Sequence, residues 1–119
     1  MGQHNVFGRE GEQIAKDFLI EKGYRILKQN YRYDRAEIDI LAQIDDILVV
    51  VEVKSRTFDF LEDVSQSVNP RKIQRLVKAA DHFVTVHDLD MEVRFDLIII
   101  LKKQKGVEIK HLENAFHHF

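Results

Sequence analysis

The sequence contains no cysteine, a single proline and no long hydrophobic segment. Without cysteine the chain can form no disulfide, no thiolate zinc site and no cysteine nucleophile, which suits a reducing compartment. The longest apolar runs, residues 47–51 and 97–101, are far shorter than the roughly 20 residues that a membrane-spanning helix needs. Residues 1–10 form no apolar signal segment. We therefore expect a cytoplasmic protein that has no membrane among its partners.

Charge is modest in total but unevenly distributed along the chain. The 119 residues carry a formal net charge of −2, with 45% hydrophobic and 32% charged residues. These values are typical of one soluble globular domain, which we expect to span residues 1–119. Residues 68–80 contain four cations and no acid, whereas residues 87–96 contain four acids. The total charge does not indicate a polyanion-binding protein, but the local field of the basic segment is favourable for one.

Apolar periodicity and turn signals predict a mixed α/β domain with the element order αβββαββ. The predicted elements are a helix over 8–22, strands over 24–31, 36–44 and 47–54, a helix starting at Asn69-Pro70, a strand over 93–101 and an edge strand over 106–112. Gly23 can end the first helix, and an asparagine cap followed by proline is a common helix start. The irregular stretch between Arg56 and Val68 is long enough to be a substrate-contacting loop.

The two strands around Asp45-Asp46 form a predicted hairpin whose register carries the functional argument. If the turn is centred on this pair, residues face each other when their numbers add up to 91. Asp39 then lies opposite Glu52, and Glu37 lies opposite Lys54. Because side chains alternate along a strand, all four are expected on one face of the hairpin.

An acid directly opposite another acid is unfavourable unless a cation lies between them. Facing residues bring their Cβ atoms to about 5 Å, where two carboxylates repel by roughly 3 kcal/mol at an effective dielectric of 20. Mg²⁺, or Mn²⁺ in its place, would reverse the sign of that interaction between Asp39 and Glu52. Lys54 could then orient or deprotonate an attacking water, so this set of residues indicates phosphodiester hydrolysis. The alternative is a Glu37–Lys54 ion pair on a solvated face, and a bulge would scatter the residues over two faces.

Further candidates lie on the two predicted helices. Glu12 is near the start of the first helix on or beside its inward face, where it could reach the metal directly or through water; alternatively, it complements the helix dipole. The second helix presents its cations on the side away from its apolar stripe. They are expected either to contact phosphates or to form a solvated face, with Arg56 as a further phosphate contact. These helix cations are Arg71, Lys72, Arg75 and Lys78. Arg94 and Asp96, on an otherwise buried strand, are expected to pair with each other or a neighbour in a structural role.

Several sequence blocks coincide in order with a known family. They are FGREGE at 7–12, KGYRIL at 22–27, NYR at 30–32, EIDI at 37–40, VEVKSR at 51–56, RFD at 94–96 and NAF at 114–116. With these blocks the chain resembles the YraN-like family of uncharacterised bacterial proteins over nearly its whole length. It departs from the family at Ala36 and Leu61, where glycine is usual.

The resemblance implies a restriction-endonuclease-like, PD-(D/E)XK fold, a mixed β-sheet flanked by helices similar to that of archaeal Holliday-junction resolvases. By this resemblance Asp39, Glu52 and Lys54 match the catalytic core, and Glu12 matches the helix-borne acid. The expected function is a Mg²⁺-dependent nuclease acting on nucleic acid, DNA rather than RNA, with branched DNA as one substrate. Resolvase-like relatives act as dimers, which leaves a homodimer open. The alternative is a non-catalytic nucleic-acid-binding module that retains the nuclease fold.

Overall fold

The structure, a computed structural model, describes residues 2–57 and 69–115, with side chains from residue 8 onward. It contains α1 (Gly2–Glu21), β1 (Arg25–Tyr33), β2 (Ala36–Ile44), β3 (Ile47–Thr57), α2 (Pro70–Val86), β4 (Glu92–Lys102) and β5 (Val107–Leu112). The expected mixed α/β class is confirmed in these residues. The predicted loop over 57–68, Leu61 included, lies outside the described residues except for Thr57, which is the last residue of β3.

The five strands form one mixed sheet in the order β1-β2-β3-β4-β5. Neighbouring strands are antiparallel except β3 and β4, which are parallel and are connected by the segment that contains α2. A parallel pair requires such a crossover, whereas antiparallel neighbours can be joined by tight turns. β5 lies at one edge of the sheet, as predicted, and β1 lies at the other. The parallel pair also explains why β3 runs beyond its predicted end: it stays paired with β4 as far as Thr57 and Lys102.

The first helix ends as predicted but begins earlier. Gly23 has φ +95°, and its N–H donates to Ile20 O at 3.0 Å while Tyr24 N–H donates to Leu19 O at 2.9 Å. These two hydrogen bonds are the pattern of a glycine-terminated helix. The predicted start at Gly8 is wrong, because α1 begins at Gly2. A glycine inside a helix costs only about 1 kcal/mol relative to alanine, so Gly8 does not stop it.

Two apolar clusters lie on opposite faces of the sheet. The cluster under α2 contains Ala36, Ile38, Leu41, Leu48, Val50, Leu76, Ala79, Ala80, Phe83 and Phe95. The cluster under α1 contains Ala15, Leu19, Tyr24, Ile40, Ala42, Val49, Val51, Ile98 and Ile100. The alternation along 48–51 sends successive side chains to opposite clusters, as the period of a strand requires. The sheet is therefore covered on both faces, and a charged group on its central strands is removed from water.

The second helix starts where the sequence predicts. Asn69 has extended φ and ψ, its side chain accepts a hydrogen bond from Lys72 N–H at 2.9 Å, and Pro70 occupies the first turn. Such a cap satisfies one of the backbone donors that a helix start leaves without an intrahelical partner. None of the helices in the described ranges combines the length and hydropathy needed to cross a membrane.

Candidate functional site

The predicted hairpin register is confirmed as far as the backbone ladder extends. β2 and β3 pair from Ile44 with Ile47 to Ile40 with Val51, and every pair of numbers adds up to 91. The Asp45-Asp46 turn that fixes this register has φ +50° at Asp45. The next pair in this register is Asp39 and Glu52, so the two acids lie at the point where the ladder stops.

At that point the two carboxylates replace the backbone hydrogen bonds of the ladder. Val53 N–H donates to Asp39 Oδ2 at 2.8 Å, and Asp39 N–H lies 3.4 Å from Glu52 Oε2, which accepts from it. Each acid thus reaches across to the backbone of the opposite strand. This arrangement holds the acids close together, as the register argument requires, and fixes their orientation.

All four residues named by the hairpin argument line one cavity. The cavity has a volume of about 370 Å³ and is lined by Arg35, Ala36, Glu37, Asp39, Glu52, Val53, Lys54, Lys72, Arg75 and Leu76. Glu52 is only 2% exposed. The site is therefore an open cavity that reaches a nearly buried carboxylate.

Burial and mutual repulsion disfavour ionisation of the acid pair. Burial, followed by repulsion from Asp39, raises the pKa of Glu52 to about 7. Burial also raises the pKa of Asp39, against the opposing effects of the Val53 hydrogen bond and of Lys72 and Lys54. Two acids with raised pKa values in one cavity have too little positive charge around them, so a further cation there would be favourable.

Two lysines lie beside the acids, and their pKa values shift in opposite directions. Lys72 Nζ is 3.2 Å from Glu52 Oε1. Burial lowers the pKa of Lys72, but the attraction and hydrogen bond of Glu52, the hydrogen bond to Lys54 and the attraction of Asp39 together outweigh burial and leave that pKa above its ordinary value. Burial, followed by repulsion from Lys72, lowers the pKa of Lys54. Lys54 is consequently the amine that more readily gives up its proton, whereas Lys72 remains an ammonium.

Lys72 corrects the prediction for the second helix. The expectation that all four cations point away from the apolar face is wrong for Lys72, which contacts the acid site. The buried residues of α2 begin at Leu76, and Lys72 precedes Leu76 by one helical turn, so both lie on the same face. A helix face identified by its apolar residues alone leaves out Lys72, although the spacing between Lys72 and Leu76 places both on that face.

The other predicted cations lie outside the acid pair's immediate contacts. Arg75 lines the acid cavity and also a neighbouring cavity, which Arg71 and Lys78 line as well. Arg56 is half-buried on β3, and its Nη1 donates to Ser55 O at 2.9 Å. Arg56 does not line the acid cavity. Arg35 lines both cavities and was not singled out from the sequence, since it lies in a turn with no motif.

Glu12 lies next to the acid pair rather than in its cavity. It shares an adjoining cavity of about 530 Å³ with Glu37 and with the arginines at positions 9 and 32. Burial raises the pKa of Glu12, and repulsion from Asp39 and then from Glu37 adds to the effect. Glu37 connects the two cavities by lining both, and it also forms an ion pair of 2.7 Å with Arg32. Glu12 therefore lies within the electrostatic field of the site, on α1.

The pairing of Arg94 with Asp96 is confirmed. Arg94 donates from Nε and Nη2 to the two Asp96 oxygens at 2.9 and 2.8 Å. His111 Nε2 is 2.8 Å from Asp96 Oδ2, and Asn114 N–H donates to Asp96 Oδ1 at 3.0 Å. Asp96 pairs in the sheet with Val51, the residue before Glu52. Its side chain is on the α1 face of the sheet, as is that of Val51. This network attaches β5 and the segment after it to the sheet.

The residues present fit a small hard cation. In the ranges 2–57 and 69–115 no three histidine or acidic side chains form a metal-binding group, so Glu12 does not join Asp39 and Glu52 in a three-ligand set. Asp39 and Glu52 are the two predicted metal ligands that line one cavity. Mg²⁺ is commonly bound by one or two carboxylates while water and substrate phosphate complete its octahedron. Asp39 and Glu52 supply carboxylates of this kind, with Glu12 near enough to raise the local negative potential.

The fold and the site define a mixed α/β protein that carries a buried acid pair and two lysines at the end of a central hairpin. The profile described as "Uncharacterised protein family UPF0102" matches residues 11–100. The chain belongs to this family, which confirms the resemblance to YraN-like proteins. It is 47% identical over 119 residues to a UPF0102 protein of Flavobacterium psychrophilum and 44% identical over 119 residues to one of Christiangramia forsetii, covering 100% of both chains in each case. A UPF0102 protein of Parabacteroides distasonis is 43% identical over 117 residues, covering 98% of this chain and 97% of its own.

Proposed function

We propose that the protein is a divalent-metal-dependent nuclease of the restriction-endonuclease-like fold that hydrolyses phosphodiester bonds in nucleic acid, DNA rather than RNA. The observation that carries this proposal is the acid pair itself. Asp39 and Glu52 are held by each other's strands in a cavity that leaves both with raised pKa values. A pair held in this way is the arrangement expected of a cation site and is unfavourable without a cation.

The acids of the cavity would hold Mg²⁺ or Mn²⁺ through Asp39 and Glu52, with Glu12 acting through water. Such an ion, when bound, supplies Lewis acidity to a phosphoryl oxygen and acidifies a water ligand. The orientation of both carboxylates is set before any ion arrives, because each accepts a backbone hydrogen bond. Preorganised ligands of this kind need little rearrangement on binding.

The two lysines would have different roles in the reaction, because only one of them has a lowered pKa. Lys54, with its lowered pKa, can hold the attacking water and accept its proton. Lys72, which remains protonated beside Glu52, can move to the phosphate and offset the negative charge that develops there. Glu37 lies between the acid cavity and Glu12 and completes the set of acidic residues in the proposed site.

The test is cleavage of fluorescently labelled branched, nicked and single-stranded DNA, and of the matching RNA, with Mg²⁺ or Mn²⁺. We expect Asp39→Ala to abolish metal-dependent cleavage and to leave the circular-dichroism spectrum unchanged. The matched control is Asp90→Ala, because Asp90 is an exposed acid outside the site. If wild-type protein cleaves none of these substrates, or if Asp39→Ala cleaves as well as wild type, the proposed activity is wrong.

A second function, a non-catalytic nucleic-acid-binding module, is favoured by one observation. The ion pair between Lys72 and Glu52 already supplies one positive charge to the acid site, which offsets part of the repulsion between the acids without a metal. Calorimetric titration with Mn²⁺ separates the two functions. Heat of binding that Asp39→Ala abolishes supports the nuclease, and nucleic-acid binding with no Mn²⁺ uptake supports the binding module.

A further inference from the structure

A second cavity adjoins the acid site on the side of the hairpin between β1 and β2. It has a volume of about 510 Å³, within the roughly 300–1,000 Å³ of cavities that bind small organic ligands. Its lining residues are Tyr33, Asp34, Arg35, Ala36, Arg71, Gln74, Arg75 and Lys78. We refer to these residues as the basic groove.

The charge of the basic groove favours phosphate. Its four cations face a single acid, Asp34. None of the four forms an ion pair with any residue in the ranges that the structure describes. Three of the cations come from two successive turns of α2 and the fourth from the hairpin, so they surround the cavity from two elements. Guanidinium groups at such positions suit phosphate oxygens, which they can contact through two donors at once.

An aromatic ring stands at the wall of the same groove. The Tyr33 ring lies parallel to the His82 ring, with centroids 3.8 Å apart and planes inclined by 17°. His82 is itself held in place, because its Nδ1 lies 3.0 Å from the Tyr31 hydroxyl. Tyr33 packs against His82 but is still 37% exposed, and it lines the cavity. A supported, exposed ring is a platform on which a planar base can stack.

The basic groove and the acid site are continuous. Arg35, Ala36 and Arg75 line both cavities. A chain with its phosphates against Arg71 and Lys78 would therefore pass Arg75 on its way to Asp39. A polynucleotide lying along the two cavities would contact Tyr33 with a base and the groove cations with its phosphates, and would then reach Asp39 and Glu52.

We propose that the basic groove binds a single-stranded segment of nucleic acid, with an unpaired base stacked on Tyr33 and the backbone phosphates held by the groove cations. A base inside a duplex is already stacked and paired, so its face cannot reach Tyr33 without disrupting the helix. The platform is therefore of use only for an unpaired strand, such as an overhang, a flap or the open part of a branched molecule. That this strand is then cleaved rests on the proposed function, but the binding itself does not.

The experiment measures binding without metal, so that its result is independent of cleavage. Fluorescence anisotropy is recorded at several salt concentrations with a labelled single-stranded oligonucleotide, with the same sequence as a blunt duplex, and by competition with a mononucleotide. The variants are Tyr33→Ala, Tyr33→Phe and Lys78→Ala. The control is Lys110→Ala, which removes the same charge from an exposed position on β5, the opposite edge of the sheet.

We expect the single strand to bind more tightly than the duplex and much more tightly than the mononucleotide. Tyr33→Ala should weaken single-strand binding by about fivefold to a hundredfold, the usual effect of one lost base–aromatic contact, and leave the salt dependence unchanged. Tyr33→Phe should retain most of the affinity. Lys78→Ala should lower the slope of log affinity against log salt by about 0.7, as for one lost phosphate contact, and Lys110→Ala should not.

Three results would overturn the inference. They are equal affinity for duplex and single strand, a mononucleotide that binds as tightly as the oligonucleotide, and a Tyr33→Ala variant that folds normally and binds like wild type. Because the assay contains no metal, these outcomes leave the cleavage test of Asp39→Ala untouched. Conversely, if the cleavage test fails, the binding measurements still show whether the basic groove binds single strands.

Discussion

Replacing Glu52 with glutamine should make the metal-free protein increasingly stable, relative to wild type, as the pH rises to neutral and alkaline values. Glutamine has nearly the same shape, and its amide oxygen can still accept the hydrogen bond from Asp39 N–H. Its amide nitrogen then replaces the oxygen that contacts Lys72, and this loss is independent of pH because Lys72, with its raised pKa, stays charged throughout the range tested. What it removes is a charge on a side chain that is 2% exposed and faces another acid. The usual result of changing a buried, hydrogen-bonded group is destabilisation, so a gain in stability would be specific to this electrostatic argument.

The magnitude follows from the pKa of Glu52. Its folded-state pKa of about 7 lies above the ordinary value of 4.5, a difference of about 2.5 units. One unit corresponds to roughly 1.4 kcal/mol, so this group disfavours the folded state by about 3 kcal/mol once it is ionised in both states. The attraction of Lys72 is already included in that net pKa.

The sign of the pH dependence is fixed by the raised pKa. Between pH 4.5 and pH 7 the folded protein keeps the Glu52 proton while the unfolded chain has lost it. Wild-type stability from this group is therefore complete below the ordinary pKa and is lost as the pH rises through the folded-state pKa. The glutamine side chain of the Glu52→Gln variant does not titrate, so the stability difference between variant and wild type should grow by about 3 kcal/mol across this window.

The assay is urea unfolding of both proteins without metal, at about pH 5, 6, 7 and 8. Glu21→Gln is the matched control, because Glu21 is an exposed acid on α1. Added Mg²⁺ should then stabilise wild type at about pH 8 and leave Glu52→Gln unchanged, since binding to the folded state alone raises stability. A stability difference that is constant with pH, or that shrinks as pH rises, would refute the reasoning about the acid pair.

Two further predictions concern the opposite face of the sheet. Burial raises the pKa of Asp96, but hydrogen bonds from His111 and Arg94 outweigh burial and leave this pKa below its ordinary value of 3.8. Asp96→Asn should therefore destabilise the protein by about 3–5 kcal/mol at neutral pH, and by progressively less as the pH falls below 3.8. Urea denaturation at several pH values would measure this loss, and a loss that does not change with pH would contradict the prediction. A methyl group on Gly11 would overlap Ser55 Oγ and lie 3.3 Å from Ser55 Cβ. We expect this overlap to outweigh the roughly 1 kcal/mol that alanine gains over glycine in a helix, so Gly11→Ala should cost a net of about 1–3 kcal/mol in thermal unfolding. Adding Ser55→Ala should recover part of that loss, and equal stability of the single and double variants would show that the overlap is not the cause.

The hairpin at the centre of the site could be predicted because its register depends only on local residues. A two-residue connection between two β-prone runs fixes which residues face each other, and five consecutive pairs follow the predicted rule. The exchange of hydrogen bonds at Asp39 and Glu52 was not predictable in the same way. Where a ladder ends depends on how the neighbouring strands and helices pack, and the sequence of the hairpin alone does not contain that information.

The lysine beside the acids shows a different limit of sequence analysis. Apolar residues alone do not identify every residue on the inward face of α2, because a lysine can place its aliphatic stem on that face and its ammonium at the edge. Lys72 does this one turn before Leu76, and so reaches Glu52. The contact of His111 with Asp96 was also missed. It joins residues 15 positions apart through the register of β4 and β5, which the sequence between them does not fix.

The same sheet contains two buried acid sites, and the contrast between them is the strongest physical reason to regard one of them as functional. Asp96 and Val51 are neighbours across β4 and β3, and Glu52 is the next residue along. At Asp96 the chain supplies an arginine, a histidine and a backbone N–H, and the pKa of the acid falls below its ordinary value. At Glu52 the pKa instead rises to about 7, despite the contact with Lys72. At Asp96 this fold therefore more than offsets the burial of a carboxylate, and one residue away it leaves the burial of Glu52 only partly offset. A cost of about 3 kcal/mol is a large part of the roughly 5–15 kcal/mol that stabilises a domain, and a bound cation would remove it.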